Sequence, residues 1–204
     1  MNILAIGAHP DDIEYGCGGT LLKYAKKGHN IYLLIMTQGH MGGDPDVRKK
    51  EQEAVSEILP VKKIFWGGFV DTKIPTSKDT INKIEGVIDE VRPDEVYVNY
   101  NEDTHQDHRV VAKSVMSATR YVKNVIFYED YTSLNFIPDM FVDIEDVLEE
   151  KIRLFLCHYS QISKPLPCNL DILESVKAIA NFRGFQSKLK YAEGFKPFRI
   201  LKEI

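Results

Sequence analysis

Short apolar runs alternate along the chain with longer segments whose apolar residues recur every three or four positions. Residues 2–8, NILAIGA, form a continuous apolar stretch of strand length. From about 14 to 27, Leu21, Leu22 and Ala25 fall at helical spacing before Gly28 marks a stop. The pattern then repeats. A strand at 30–37 precedes a glycine-rich loop, and Asp44 with Pro45 supplies an N-cap and first helical position for a helix to about 59. A third strand, KIFWGG (63–68), precedes a helix capped by Ser77 that carries Ile81, Ile84, Val87, Ile88 and Val91. A strand at 94–100, a helix at 106–121 with Val111, Val115 and Ala118 on one face, and a strand at 124–129 complete the regular part. Beyond Pro138 the sequence predicts a strand at 140–144, a helix at about 145–158, a loop with Pro165 and Pro167, a helix to about 182 and a terminal extended piece. Strands separated by helices of this length require right-handed crossovers. The predicted fold class is therefore α/β, a Rossmann-like three-layer α/β/α arrangement with a mostly parallel sheet. No linker, repeat or low-complexity tract divides it, so a single domain over 1–204 is expected.

Composition narrows the function classes. With 44% hydrophobic and 27% charged residues, the chain has the makings of a globular core. Its net charge of -4 and lack of a Lys/Arg stripe exclude a nucleic-acid surface. The longest apolar run, 31–36, is too short to span a bilayer, and no leader-like segment opens the chain, so a soluble cytoplasmic protein without a membrane partner is expected. The three cysteines, Cys17, Cys157 and Cys168, have no CxxC spacing and are read as packing residues.

In an open parallel sheet, ligands sit beyond the carboxyl ends of the strands. The segments there are HPDD after the first strand, TQGHMGG after the second, GGFVDT after the third and NEDTHQDH after the fourth, and all are polar. Adjacent carboxylates at the end of a buried strand repel each other and call for a cation. Catalytic metal sites take three protein ligands and keep one position open. His9 and Asp12 leave a strand together, and His108 in the first turn of the fourth helix completes the set. Asp11, next to a ligand, is placed to accept a proton from water activated by the ion. His105, one turn before His108, suits a hydrogen bond to a developing oxyanion, with Asp107 as the carboxylate that orients its ring and raises its pKa. GCGG at 16–19 does not make a dinucleotide cradle, because Asp11 and Asp12 occupy the strand–helix turn and repel a pyrophosphate; these glycines are expected to let the helix pack closely on the sheet. No GxSxG elbow is present.

GAHPDDIEYGCGGT together with NEDTHQDH resembles the PIG-L/LmbE family of metal-dependent N-acetylglucosaminyl deacetylases. The resemblance implies His9, Asp12 and His108 as zinc ligands, Asp11 as general base and His105 as oxyanion stabiliser or acid. It extends to Arg48 and Glu51, to His158–Gln161 and to YAEGF at 191–195. It further implies Arg48 as a sugar-contacting residue, with Asp71 resembling an aspartate of the loop after the third strand, and a homo-oligomer, trimeric or hexameric. Gln106 stands where the family often has proline. The expected function is metal-dependent removal of acetyl from a small-molecule N-acetylated amino sugar of the N-acetylglucosamine type, with zinc, or alternatively iron(II), as the ion. Two other readings use the same residues: a two-histidine, one-carboxylate iron(II) oxygenase, and a non-catalytic metal- or carbohydrate-binding module.

Overall fold

The computed structural model describes residues 1–165 and 167–201, and within them the strands and helices alternate as predicted. Residue 166 of the expected proline loop and residues 202–204 of the expected 1–204 domain lie outside the described residues. Strands β1 (Asn2–Gly7), β2 (Asn30–Thr37), β3 (Val61–Phe69), β4 (Glu95–Asn99) and β5 (Asn124–Tyr128) pair in parallel in the order β3-β2-β1-β4-β5. Helices α1 (Asp12–Lys26), α2 (Pro45–Ala54), α3 (Lys78–Val91) and α4 (Gln106–Ala118) connect them. Two further strands, β6 (Met140–Asp143) and β7 (Ala192–Arg199), extend the sheet past β5. β7 runs antiparallel to β5, and β6 runs antiparallel to β7 at the edge. Helices α5 (Leu148–Leu156), α6 (Tyr159–Ile162) and α7 (Ile172–Ser187) lie between β6 and β7 in the chain.

The central strands are apolar without interruption because both faces of the sheet are covered. Along β1, Ile3 and Ala5 join the core beneath α1, α5 and α7, while Leu4 and Ile6 join the core beneath α3 and α4. Gly16 lets α1 approach the sheet: a Cβ there would lie 2.1 Å from Cδ2 of Tyr128 on β5. The expected caps form, with Asp44 accepting from the Asp46 amide at 2.9 Å and Ser77 from the Thr80 amide at 3.4 Å.

Some boundaries differ from expectation. The helix expected to reach 59 tightens into a 3-10 turn after Ala54, and the one expected from 145 starts with such a turn before α5. α7 continues past 182 to Ser187 and stops at Lys188 in the left-handed conformation, φ 64°. The cysteines are free, as expected, but only Cys17 is a core residue; Cys157 is half-buried and Cys168 exposed, because the segment holding Cys168 lies on the surface. No helix among the described residues is long and apolar enough to cross a membrane.

Candidate active site

β1 pairs with β2 on one side and β4 on the other, so the chain order reverses between β1 and β4 and the loops that follow them open on one crevice. This brings residues 9–12 against 101–108. The His9 and His105 rings lie 4.6 Å apart, His105 and His108 stack at 4.8 Å, and His9 and His108 lie at 5.4 Å. Seven of the eight predicted site residues line a cleft of about 280 Å³; the eighth, Asp107, is 1% exposed beneath it. A larger hollow of about 690 Å³ at the opposite end of the sheet, beside Arg92 and Tyr121, carries none of them.

The first turn is held by Asp12. Its Oδ2 accepts the amides of Ala8 at 2.8 Å and His9 at 3.0 Å, and Asn99 at the end of β4 donates Nδ2 to the same oxygen at 3.1 Å. Asp12 Oδ2 also faces His9 Nδ1 at 3.8 Å and His108 Nε2 at 3.4 Å. The second nitrogen of each imidazole meets a carboxylate: His9 Nε2 lies 3.0 Å from Asp71 Oδ1, and His108 Nδ1 lies 3.2 Å from Asp103 Oδ2. Carboxylates on the outer ring nitrogens fix the tautomer and raise ligand basicity, as in carboxylate–histidine–metal triads.

Charge balance in the cleft calls for a cation. Burial works against a charged His9, yet hydrogen bonds to Asp107, Asp12 and Asp71 hold its pKa well above the ordinary value. Burial likewise opposes charge on His108, and Asp12 and Asp103 push it up to about 10. Buried carboxylates surround both histidines and favour positive charge between them, a role that a divalent ion would fill in place of protons. His9, Asp12 and His108 thus have the donor chemistry for such an ion. The trios whose ligating atoms lie within 4.8 Å of one another among the described residues are His9 with His105 and His108, His9 with Asp71 and Asp107, and Asp12 with His108 and Asp130, so the three proposed ligands are shared among overlapping groups.

Asp11 is differently placed. It takes φ 101° and ψ -30° ahead of α1 and makes no capping bond, a conformation that L residues with a Cβ adopt only when their surroundings impose it. Its carboxylate faces Arg48 Nη2 at 3.2 Å and stays 20% exposed at the cleft. Burial raises its pKa; the Arg48 charge opposes this and Asp12 adds to it. Arg48 is 5% exposed and also donates to the carbonyls of Gly39 and Pro10, each at 2.7 Å. A Cβ on Gly39 would lie 1.8 Å from Arg48 Nη1, so the glycine makes room for the guanidinium. Glu51, His158 and Gln161 hold the surrounding loops: Glu51 accepts from the Ser160 amide at 2.7 Å, Gln161 donates to Gly42, and His158 Nε2 pairs with buried Glu14 at 3.1 Å.

The expected partnership of His105 and Asp107 is corrected. The Asp107 carboxylate turns to His9 Nε2 at 3.3 Å and to the Thr72 amide at 2.7 Å. Only its backbone reaches His105: the Asp107 amide donates to His105 Nδ1 at 3.2 Å, because His105 is the N-cap of α4. An accepting Nδ1 leaves the proton on Nε2, and burial with the neighbouring His9 and His108 charges lowers the His105 pKa rather than raising it. Asp71 lines the cleft and has both oxygens engaged, Oδ1 by His9 Nε2 and Oδ2 by the Met41 amide. Burial would raise its pKa, but His9 and the Met41 amide outweigh that and set it at about 2.

Asp130, Tyr131 and Thr132 are additional site residues. They follow β5, and the strand-end rule that selects the other loops is the signal that reaches them. Asp130 is 4% exposed and has its pKa pushed up to about 8 by burial.

The profile of the family described as PIG-L, GlcNAc-PI de-N-acetylase, matches residues 4–119, more than half of the chain. An uncharacterized deacetylase of Escherichia coli, YaiS, is 36% identical over 71% of this chain and 82% of its own length. The diacetylchitobiose deacetylase of Thermococcus kodakarensis is 31% identical over 95% of this chain and 82% of its own length. Among solved structures, N,N'-diacetylchitobiose deacetylase from Pyrococcus horikoshii in complex with an inhibitor superposes with a TM-score of 0.85 at 26% identity, covering 97% of this chain and 83% of that one. The fold, the two motifs meeting at one sheet rim and these matches agree, and the chain belongs to the PIG-L family.

Proposed function

We propose that the protein is a divalent-metal N-deacetylase that hydrolyses the acetamide of an N-acetylglucosamine-type conjugate to acetate and free amine, with residues 1–204 acting as one catalytic domain. The observation that carries this is the convergence of His9, Asp12 and His108, the two imidazoles having their outer nitrogens engaged by carboxylates, with Asp11 held by Arg48 at the cleft. The diacetylchitobiose deacetylase relative supports the sugar. His9, Asp12 and His108 would hold the ion, which when bound would supply Lewis-acid polarisation of the acetamide carbonyl and a water of lowered pKa. Asp11, aimed by Arg48, accepts a proton from the attacking water. His105 Nε2–H donates to the carbonyl oxygen as it gains charge, and Asp11 returns its proton to the departing nitrogen, so the proton balance closes. Zinc is the ion we assign from the two-histidine, one-aspartate set. Free thiols at all three cysteines suit a reducing compartment, and we place the protein in the cytoplasm.

Acetate release from N-acetylglucosamine conjugates tests the reading. Chelator-dialysed protein is expected to lose this activity and to regain it with one equivalent of zinc, while no dioxygen is consumed. Turnover that survives chelation overturns it, and oxygen uptake would favour the iron(II) oxygenase.

The corrected state of His105 makes its own prediction. If the ring acts as a neutral donor, His105→Gln retains turnover within about tenfold of the parent, whereas His105→Ala loses about 10²–10³-fold. Equal losses in the two variants would show that the imidazole transfers a proton instead.

A further inference from the structure

We propose that Tyr131 is the platform on which the sugar ring of the substrate stacks, and that it gives the enzyme its preference for cyclic amino sugars over acyclic acetamides. The proposal rests on the deacetylase reading and specifies how the rest of the substrate is held.

The floor of the cleft is polar and charged, which suits an acetamide and an ion but offers nothing to the apolar CH face of a pyranose. That surface is at the rim. Tyr131 lines the cleft and is 64% exposed. Met41, 69% exposed, lines it too and is fixed by its amide's bond to Asp71 Oδ2 at 2.8 Å. A lone exposed aromatic is ordinary on a protein surface. Tyr131 differs in being immobilised next to the reacting groups. The Asp130 amide donates to Ser133 Oγ at 2.9 Å, and the Ser133 amide donates back to the Asp130 carbonyl at 3.0 Å, closing a turn around Tyr131. That turn is stitched to the loop carrying His105. Thr104 donates to the Thr132 carbonyl at 3.0 Å, Leu134 to the Glu102 carbonyl at 2.9 Å, and Asp103 forms an antiparallel bridge with Ser133. The Tyr131 ring meets buried Tyr15 in a T-shaped contact at 5.3 Å and 76°, and most of its surface remains open. A rigid aromatic with two rotatable bonds provides stacking area at low entropic cost. An acyclic N-acetyl amine has no flat CH face to use it.

The experiment compares Tyr131→Ala and Tyr131→Phe on two substrates, a conjugate of cyclic N-acetylglucosamine and the ring-opened N-acetylglucosaminitol. For Tyr131→Ala, KM for the cyclic substrate rises about tenfold with little change in kcat, so the cyclic-to-acyclic ratio of kcat/KM falls about tenfold; Tyr131→Phe restores the ratio. In an Asp11→Asn background, calorimetry with the cyclic sugar gives the same roughly tenfold weakening for the Ala variant without any turnover. The proposal is overturned if both substrates suffer equally, if kcat rather than KM falls, if Phe behaves like Ala, or if the Ala variant changes only the association state. If the parent binds the sugar with this dependence on Tyr131 yet releases no acetate, the deacetylase reading fails while the stacking surface stands.

Discussion

Asp11→Asn is expected to keep its divalent ion and to lose about a thousandfold in turnover, within the range by which a positioned general base contributes. The separation is possible because Asp11 and Asp12, adjacent in sequence, have different partners. Asp12 is engaged by two backbone amides, Asn99 and the His9 and His108 rings, whereas Asp11, among the described residues, is hydrogen-bonded by Arg48 and otherwise faces the open cleft. Asparagine has the same shape and, like aspartate, is among the residues that tolerate positive φ, so the φ of 101° survives the change. Arg48 also keeps its two carbonyl partners and stays in place. What disappears is the capacity to take a proton. His9→Ala, in contrast, removes a proposed ligand and is expected to lose ion and turnover together. Metal content per chain measured beside acetate release separates the two outcomes, and an Asp11→Asn protein with full activity would remove Asp11 from the chemistry.

The division between what the sequence reveals and what it hides follows the range of the interactions. The parallel α/β order is legible because each strand and helix announces itself by local periodicity, and the cleft because HPDD and NEDTHQDH both fall at strand ends. Three-dimensional partners are not legible. Asp107 sits two residues from His105, which invites a pairing, but as a first-turn residue of α4 it presents its carboxylate to His9 and gives His105 only its amide. Arg48 reads as a helix charge or a sugar contact, yet lies buried between Gly39, Pro10 and Asp11 because the turn after β2 folds over it. Asp103 lies within NEDTHQDH beside Glu102, and only the fold shows that it is Asp103 whose carboxylate faces His108 Nδ1. Helix ends defined by glycine, proline or an N-cap are found within a few residues; the end of α7 is missed because the left-handed position is filled by Lys188, which carries no such mark.

Lys151→Met is expected to destabilise the fold by about 3–5 kcal/mol, lowering Tm by about 10 °C, without touching the cleft. Lys151 on α5 is 1% exposed, and its ammonium lies 2.5 Å from Glu193 Oε1 on β7 and 2.5 Å from the Tyr15 carbonyl of α1. Glu193, 4% exposed, also accepts the Gly19 amide at 2.8 Å, the Thr20 amide at 2.7 Å and the Thr20 hydroxyl at 2.6 Å. This pair therefore sits against the middle of the helix whose first residue is Asp12, joining α1, α5 and β7. Methionine fills the space of the lysine stem but leaves Glu193 charged, buried and without its counter-ion, the situation in which breaking a pair costs most. Replacing both partners is a different case. In Lys151→Met/Glu193→Leu, the Tyr15 carbonyl and the Gly19 and Thr20 amides lie within α1 and have their i→i−4 helix partners to serve them once the side chains are gone. The double variant is therefore expected to recover at least half of the single variant's loss, a coupling that thermal denaturation of the three proteins measures directly. Losses that simply add would show that the pair supports the fold through packing of its alkyl stems and not through its charges.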